Sequence, residues 1–560
     1  MPLVTSLYRQ FNLLFVCCLL PLLCHRASSQ TTATIGQNFT GSTYEVNSSA
    51  LPPDSNGAVG PRHFVEFVNG TVAVYNKTNG HSVQRKTNLK FWSDAGLIIS
   101  PDSGVSDPRI IYDPLTQRWF VSQIDFDASS IDPTMEANDF LLAVSATSDP
   151  TGGWHGFLFQ ADPDNGFFAD FPTLGVDSNA VYISGDMYFG VDSPMGPGLV
   201  SIPKADLLAS SPTIANRTWF GVMDISVRGQ ALQPAICLDG SSTGNVLAMG
   251  DIGSDSELHS NMVLFAVQNG AGTTATLSPP TSIEVLPYSV PFNADMGIPL
   301  FSAAQPDGTV TLQANDARLS ASVYAVGGVL YAAHSTDLNG RIAIRWYRID
   351  ARTRRLLEFG TISDPTLDLF FPSIAANPDG VVVIAYNGSG SSTYISCFAS
   401  AGVTRNGVTS FGDRLLLKSG VVSYHDLNEI LAELLGDTPV DSRWGDYSAL
   451  AVDPFDSNRF WIIQSYPSDT GSFDEGLWST QITELVTTPP APQLTITRSG
   501  SDAIVSWPAS ASGFHLESNT SPNAPNQWTL VSSNFSTNSG RIYFQTPLTN
   551  TARFFRLHKP

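Results

Sequence analysis

The sequence predicts an all-β protein: a seven-bladed β-propeller, with six to eight blades compatible with the pattern, followed by a small C-terminal β-sandwich. Three observations carry this prediction. A hairpin unit recurs along most of the chain at roughly 50–80 residue intervals, the mark of a repeat architecture. The 560 residues are only 14% charged and include 45 Gly and 37 Pro, a composition suited to many short strands joined by turns. Helical periodicity is confined to one short stretch.

The unit is plainest in Ser106-Asp-Pro-Arg-Ile-Ile-Tyr-Asp-Pro-Leu-Thr-Gln-Arg-Trp-Phe-Val-Ser122. An apolar strand (Ile110 to Tyr112) meets a turn built from Asp113, Pro114 and Thr116, and a second strand returns at Trp119 to Val121. The first copy lies upstream, where Pro52-Pro-Asp-Ser-Asn-Gly leads to the alternating run His63 to Val68, the turn Asn69-Gly70 and the strand Thr71 to Tyr75. Later copies begin at Asp170 (returning at Val181), Gln233 (Val246), Phe371 (Val381) and Asp446 (Phe460). A more worn copy follows Asp316-Ala-Arg318 and pairs Ala321 to Ala325 with Val329 to Ala333 across Gly327-Gly328.

The flanks differ from the repeats. Residues 1–29 read as a secretory signal, with Arg9, an apolar core from Leu13 to Leu23, and small residues at Ala27 and Ser29 before Gln30. Leu23 is too large for a good lipoprotein signal at Cys24, so plain secretion is expected. Residues 30–49 are a polar N-terminal segment with a strand expected at Ser42 to Val46. The propeller takes residues 50–486, a proline-rich linker 487–493, and the sandwich 494–560, whose strands alternate from Leu494 to Leu557. Leu427, Ile430, Leu431, Leu434 and Leu435 lie at helical spacing between Ser423 and Gly436, predicting one helix between blades. No later segment is apolar over a membrane-spanning length.

A net charge of −21 argues against nucleic acid or anionic lipid as partner. Walker, zincin and paired-cysteine motifs are absent, and Gly240-Ser-Ser-Thr-Gly244 joins two strands rather than the strand and helix a nucleophile elbow requires. Cys237 and Cys397, the cysteines beyond the signal, sit in repeats that are not neighbours, which disfavours a disulfide although an exported setting permits one.

Superposing the repeats yields the candidate site. Residues just before each innermost strand surround one mouth of the central channel, which gathers Asp54, Asp107, Asp170 and Asp446, with Asp316 a weaker fifth, beside Arg109, Arg318 and Arg443. Clustered carboxylates raise one another's pKa unless cations neutralise them. Two readings stay open: a polar ligand site at the channel mouth, or turn-capping aspartates paired with backbone and arginine. Asp162, Asp164 and Asn165 offer closely spaced oxygen ligands of the kind calcium takes, as does the loop holding Asp125, Asp127, Asp132, Glu136 and Asp139; neither completes an EF-hand, and no other cofactor is called for.

Asp107-Pro-Arg-Ile with Tyr112-Asp-Pro and Arg118-Trp-Phe resembles the sialidase-like propellers, as does Thr147-Ser-Asp-Pro-Thr-Gly-Gly-Trp154, a distorted Asp-box. Pro53-Asp-Ser-Asn-Gly-Ala-Val-Gly60 and Arg443-Trp-Gly-Asp-Tyr447 resemble uncharacterised secreted bacterial propellers, and Val505-Ser-Trp507 with Arg553-Phe-Phe-Arg556 is similar to fibronectin type III-like modules. A sialidase likeness implies three arginines clamping a carboxylate, for which Arg109, Arg318 and Arg443 stand, and an acid from the aspartate ring; it leaves the Tyr/Glu nucleophile pair without a counterpart. The expectation is therefore a secreted, non-catalytic binding or scaffold protein that recognises glycan or a cell-surface partner. The alternative is a glycoside hydrolase, which needs two carboxyls about 5–10 Å apart across a cleft.

Overall fold

The computed structural model describes residues 32–560 except 192, 294–296, 309–310, 427–429, 431–440, 472–475, 489–491, 493, 510, 512, 524–526, 533–534, 539–540, 550 and 560. The signal segment, most of the linker and nearly all of the helix expected between Ser423 and Gly436 thus lie outside the described residues.

The repeats fold as antiparallel sheets laid down in chain order. The first comprises Asn56–Val59, His63–Val68, Thr71–Asn76 and Ser82–Thr87; the second Ser103–Asp113, Arg118–Asp127, Asp139–Ser145 and Trp154–Gln160; the third Phe168–Val176, Ala180–Tyr188, Pro194–Pro203 and Thr218–Val222. Gln230–Pro234 opens the fourth, Tyr324–Val326 the fifth, Asp368–Ala376 the sixth and Ala449–Val452 the last. The innermost strands touch in that order, the fourth reaching the fifth through Ile236–Cys237, which continues from Gln230–Pro234; Ala449–Val452 also touches Asn56–Val59, so the ring closes. Within a sheet, second strands such as Val381–Gly390 are buried along their whole length because sheets flank both faces, whereas Arg355–Ile362 at an outer edge alternates exposed and half-buried residues. The chain is an all-β, propeller-like protein.

Ring closure corrects one expectation. The N-terminal strand is Thr32–Thr43, not Ser42 to Val46, and it pairs antiparallel with Gly476–Thr488 as the outermost strand of the last sheet. Its polar sequence hid it, since an edge strand has little apolar area to bury. A helix absent from the sequence reading, Asn88–Asp94, is capped by Thr87, whose side chain accepts from the Lys90 N–H, and buries Phe91 and Trp92.

A second device repeats at the far end of the inner strands. Asp113, Asp177, Asp239, Asn377 and Asp453 each accept a backbone N–H two residues on. Each also reaches a later sheet or, for the last, the first: Asp113 the Lys204 Nζ at 2.8 Å, Asp177 the Gly244 N–H, Asp239 the Gly327 N–H, Asn377 the Ser457 carbonyl and Asp453 the Lys77 ammonium. One position, Asp in four of these repeats and Asn in the other, thereby shapes its own turn and joins neighbouring sheets.

C-terminal to the ring, Thr495–Ser499, Asp502–Pro508, Arg541–Pro547 and Phe535–Asn538 form one sheet, and His515–Asn519 pairs with Thr529–Leu530 and Phe554–His558 in another. Val505, Trp507, Leu516 and Phe544 from both sheets make a common core. Cys237 and Cys397 are both buried and free.

Candidate functional site

The channel mouth is shaped by backbone irregularity. Pairing registers slip between Ser106 and Arg109, Asp170 and Thr173, Gln230 and Gln233, and Phe370 and Ser373, and each slip contains a residue of positive φ: Asp107 (59°), Phe171 (49°), Ala231 (50°) and Phe371 (47°). Asp54 (44°) has the same sign just before the first inner strand. Such bulges re-aim side chains at the ends of strands. Aspartate tolerates the left-handed region; phenylalanine there costs on the order of 1–2 kcal/mol, which packing must offset. Phe171, 2% exposed, packs edge-on to Tyr447 with ring centroids 6.0 Å apart.

The expected aspartates do meet. The Asp54 carboxylate accepts the Asp446 N–H at 2.8 Å and the Asn69 amide at 2.8 Å. Asn69 in turn accepts the Asp107 N–H at 3.0 Å, and Ser106 Oγ donates to Asp107 at 2.9 Å. Asp446 accepts Asn315 Nδ2 at 3.0 Å and the Arg443 guanidinium at 2.9 Å. Burial is the chief cause that lifts Asp54, Asp107 and Asp170. It raises Asp54 well above the carboxylate range with Asp446 and Asp107 adding repulsion, lifts Asp107 to about 7 with help from Asp170 and Asp446, and raises Asp170 beside Asp446. Asp186, which the sequence reading missed, is buried beside Arg318, accepts the Ala231 N–H and is pushed up to about 6, again by burial first.

The arginines divide into different roles, which corrects the expectation of a three-arginine clamp. Arg109 is 2% exposed and does not face the mouth. Its guanidinium lies 3.5 Å from the Tyr447 ring centroid and 5.1 Å from that of Phe171, and it donates to the Pro172 and Ser320 carbonyls. Arg318 is held bidentate by Asp316, at 2.9 and 2.7 Å, and also lies over Phe171. Arg443 alone of the three has a half-exposed side chain; Asp446, and behind it Asp54, Asp170 and Asp107, hold its guanidinium firmly charged. The mouth itself is a cavity of about 140 Å³ lined by Asp170, Leu300, Gln313, Asn315, Arg318, Arg443, Gly445 and Asp446.

Leu300, Gln313 and Asn315 come from the connection before the worn repeat, where no motif signalled them. Tyr447 was visible as the end of Arg443-Trp-Gly-Asp-Tyr447, though its part in holding Arg109 was not.

The calcium candidates are engaged within their own loops. Asp162 is fully buried and accepts the backbone N–H groups of Asp164, Asn165 and Phe167, so it shapes its own turn. Asp164 accepts the Trp219 indole at 2.9 Å, and Asn165 donates to Asp162. In the neighbouring loop Asp127 caps Ser129, Asp132 caps Thr134 and Asp125 accepts the Asp139 N–H. Among the described residues no three His, Cys, Asp or Glu side chains converge as a metal site would require.

No protein-family model matches the chain, and no curated protein matches it. Solved structures with a similar course include a protein of unknown function from Dyadobacter fermentans (10% identity, 70% of this chain and 97% of that one, TM-score 0.34). They include an α-L-arabinanase of Penicillium chrysogenum complexed with arabinobiose (12%, 68% and 94%, 0.29) and the Trypanosoma rangeli sialidase (10%, 80% and 60%, 0.32). At these identities and TM-scores the likenesses carry no argument about chemistry. Among the described residues no helix is long and apolar enough to cross a membrane.

Proposed function

We propose that this is an exported, non-catalytic binding protein that takes a hydroxyl-bearing sugar unit of a glycan in the mouth of a seven-bladed propeller, with a fibronectin type III-like sandwich as spacer. The observation that carries this reading is the composition of the 140 Å³ cavity: two acids (Asp170, Asp446), two guanidiniums (Arg318 and the half-exposed Arg443) and two carboxamides (Gln313, Asn315) beside one apolar side chain, Leu300. Donors and acceptors mixed in this way suit vicinal hydroxyls, and Leu300 suits the C–H face of a sugar ring. Of the two lining acids, Asp170 has a backbone hydrogen bond from Phe171, whereas Asp446 is also held by the Asn315 and Arg443 side chains, so Asp170 is the acid we assign to the ligand. No metal is needed for this recognition.

Glycoside hydrolysis at the same mouth has one observation in its favour, the proton that Asp107 holds up to about pH 7. Against it, Asp107 is 6% exposed and does not line the cavity, so it has no reach to a glycosidic oxygen.

A glycan array probed with the purified protein, with and without chelator, followed by titration of the best hit, tests the proposal. Asp170→Ala and Arg443→Ala are each expected to weaken binding by about 10–100-fold, the worth of a hydrogen bond to a charged group, while chelator changes nothing and the glycan is recovered intact. Binding unaffected by both variants would show that the mouth is not the site; release of free sugar would favour the hydrolase.

A further inference from the structure

The opposite end of the channel holds a second cavity, larger than the first and of opposite character. Its volume is about 230 Å³, and its wall is formed where the inner strands end, by residues such as Val59, Ile110, Leu238, Ala376 and Ala451. Between the two cavities the channel narrows to a remnant of about 10 Å³, so they do not communicate. The narrowing has a structural cause. Ile236–Cys237 pairs in parallel with Val176 on one side and with Tyr324–Ala325 on the other, which draws three inner strands together.

Tyr324 is set at this constriction. It lines both the apolar cavity and the remnant beneath it, and it packs against apolar clusters from both sides of the ring. Among the described residues its hydroxyl has no hydrogen-bond partner, and burial alone pushes the phenol up, with no neighbouring charge or hydrogen bond contributing. The rim carboxylates are otherwise engaged: Asp239 accepts the Ser241 and Gly327 N–H groups, and Asp453 pairs with Lys77. A charged ligand would therefore meet no free counter-charge, whereas an uncharged one finds a mainly apolar wall with the Tyr324 hydroxyl as a polar handle at its base.

We infer that this cavity is a binding site for a compact, uncharged aromatic or branched aliphatic molecule whose one hydroxyl or carbonyl group meets Tyr324. Size supports the class: an apolar cavity of about 150 Å³ holds benzene, so this one accommodates about nine or ten non-hydrogen atoms. A pocket with apolar walls and one well-placed polar group has the usual make-up of a small-molecule site. The inference is independent of the glycan reading, because it concerns the other end of a blocked channel.

The test uses p-cresol and toluene as probes on the full chain, by ligand-observed NMR and calorimetry. Both are expected to bind saturably. Tyr324→Phe is expected to weaken p-cresol by about 3–10-fold, the worth of one neutral hydrogen bond, and to leave toluene unchanged. Ala451→Trp, or the milder Ala451→Leu should the first not fold, occupies the cavity and removes both; Asp170→Ala, at the other mouth, alters neither. Absence of saturable binding by either probe, or binding that survives the filled cavity in a folded variant, would overturn the assignment. Equal loss of both probes in Tyr324→Phe would overturn the polar end of it.

Discussion

Replacing Glu66 with alanine is expected to lower the unfolding free energy by about 3–5 kcal/mol, the usual loss when one member of a buried, hydrogen-bonded charged group is removed. Glu66 is fully buried in the middle of His63–Val68. Its carboxylate accepts the Ser42 N–H at 3.0 Å, Ser42 Oγ at 2.7 Å, Tyr75 Oη at 2.7 Å and the Thr480 hydroxyl, and Arg85 lies 4.0 Å away. Ser42 belongs to the N-terminal strand, Thr480 to the last sheet and Tyr75 to the first. One side chain thus binds together the three segments that meet where the ring closes. The approach is tight as well: a Cβ on Gly41 would fall 2.8 Å from a Glu66 carboxylate oxygen and 2.4 Å from Thr480 Oγ1, so only glycine lets the strand pass. Glu66→Gln keeps the shape and one acceptor, and a loss of about 1–2 kcal/mol is expected, near that of one or two hydrogen bonds. Guanidinium unfolding followed by tryptophan fluorescence measures both. A loss below 1 kcal/mol in Glu66→Ala would remove the carboxylate from any part in closure.

That residue also shows where reading the sequence stops. The repeats were legible because each inner strand carries its own apolar run and ends in an Asp or Asn turn, and both signals are local. The gathering of Asp54, Asp107, Asp170 and Asp446 followed from the repeat, since equivalent positions in a ring must converge. Closure was not legible. Thr32–Thr43 is polar, and its partner lies more than 400 residues away in sequence, so no local pattern announces the pairing. Nor was the division of labour among the arginines. Arg109, inside its inner strand, is buried beside Tyr447 and beside Phe171, which sits in a bulge, while Arg443, just before its inner strand, keeps half its side chain in solvent. Alternation along a strand predicts which face a residue takes, but a bulge resets that count, and the sequence carries no unambiguous sign of it.

Asp107→Asn is expected to stabilise the protein, and only at higher pH. In the folded chain Asp107 keeps its proton to about pH 7, because burial and the carboxylates of Asp170 and Asp446 oppose its charge, whereas in the unfolded chain an aspartate ionises near 3.9. Between those values the folded state holds more protons than the unfolded one, so the contribution of Asp107 to stability falls as pH rises from about 4 to about 7 and stays low above. Asp54, Asp170 and Asp186 are shifted the same way and act in the same direction. Asparagine tolerates the positive φ of 59° at this position and retains an oxygen to accept from Ser106 Oγ, while carrying no charge. The variant should therefore match the parent near pH 4.5 and exceed it by about 2–4 kcal/mol at pH 8, an amount set by the gap between the two pKa values. Urea midpoints at pH 4.5, 6 and 8 for parent and variant measure this directly. A gain that is the same at all three would mean that the substitution acts through packing or backbone conformation. A loss at pH 8 would mean that the ionised Asp107 is compensated in the folded state, with Arg109 and Arg443 outweighing the acids around it.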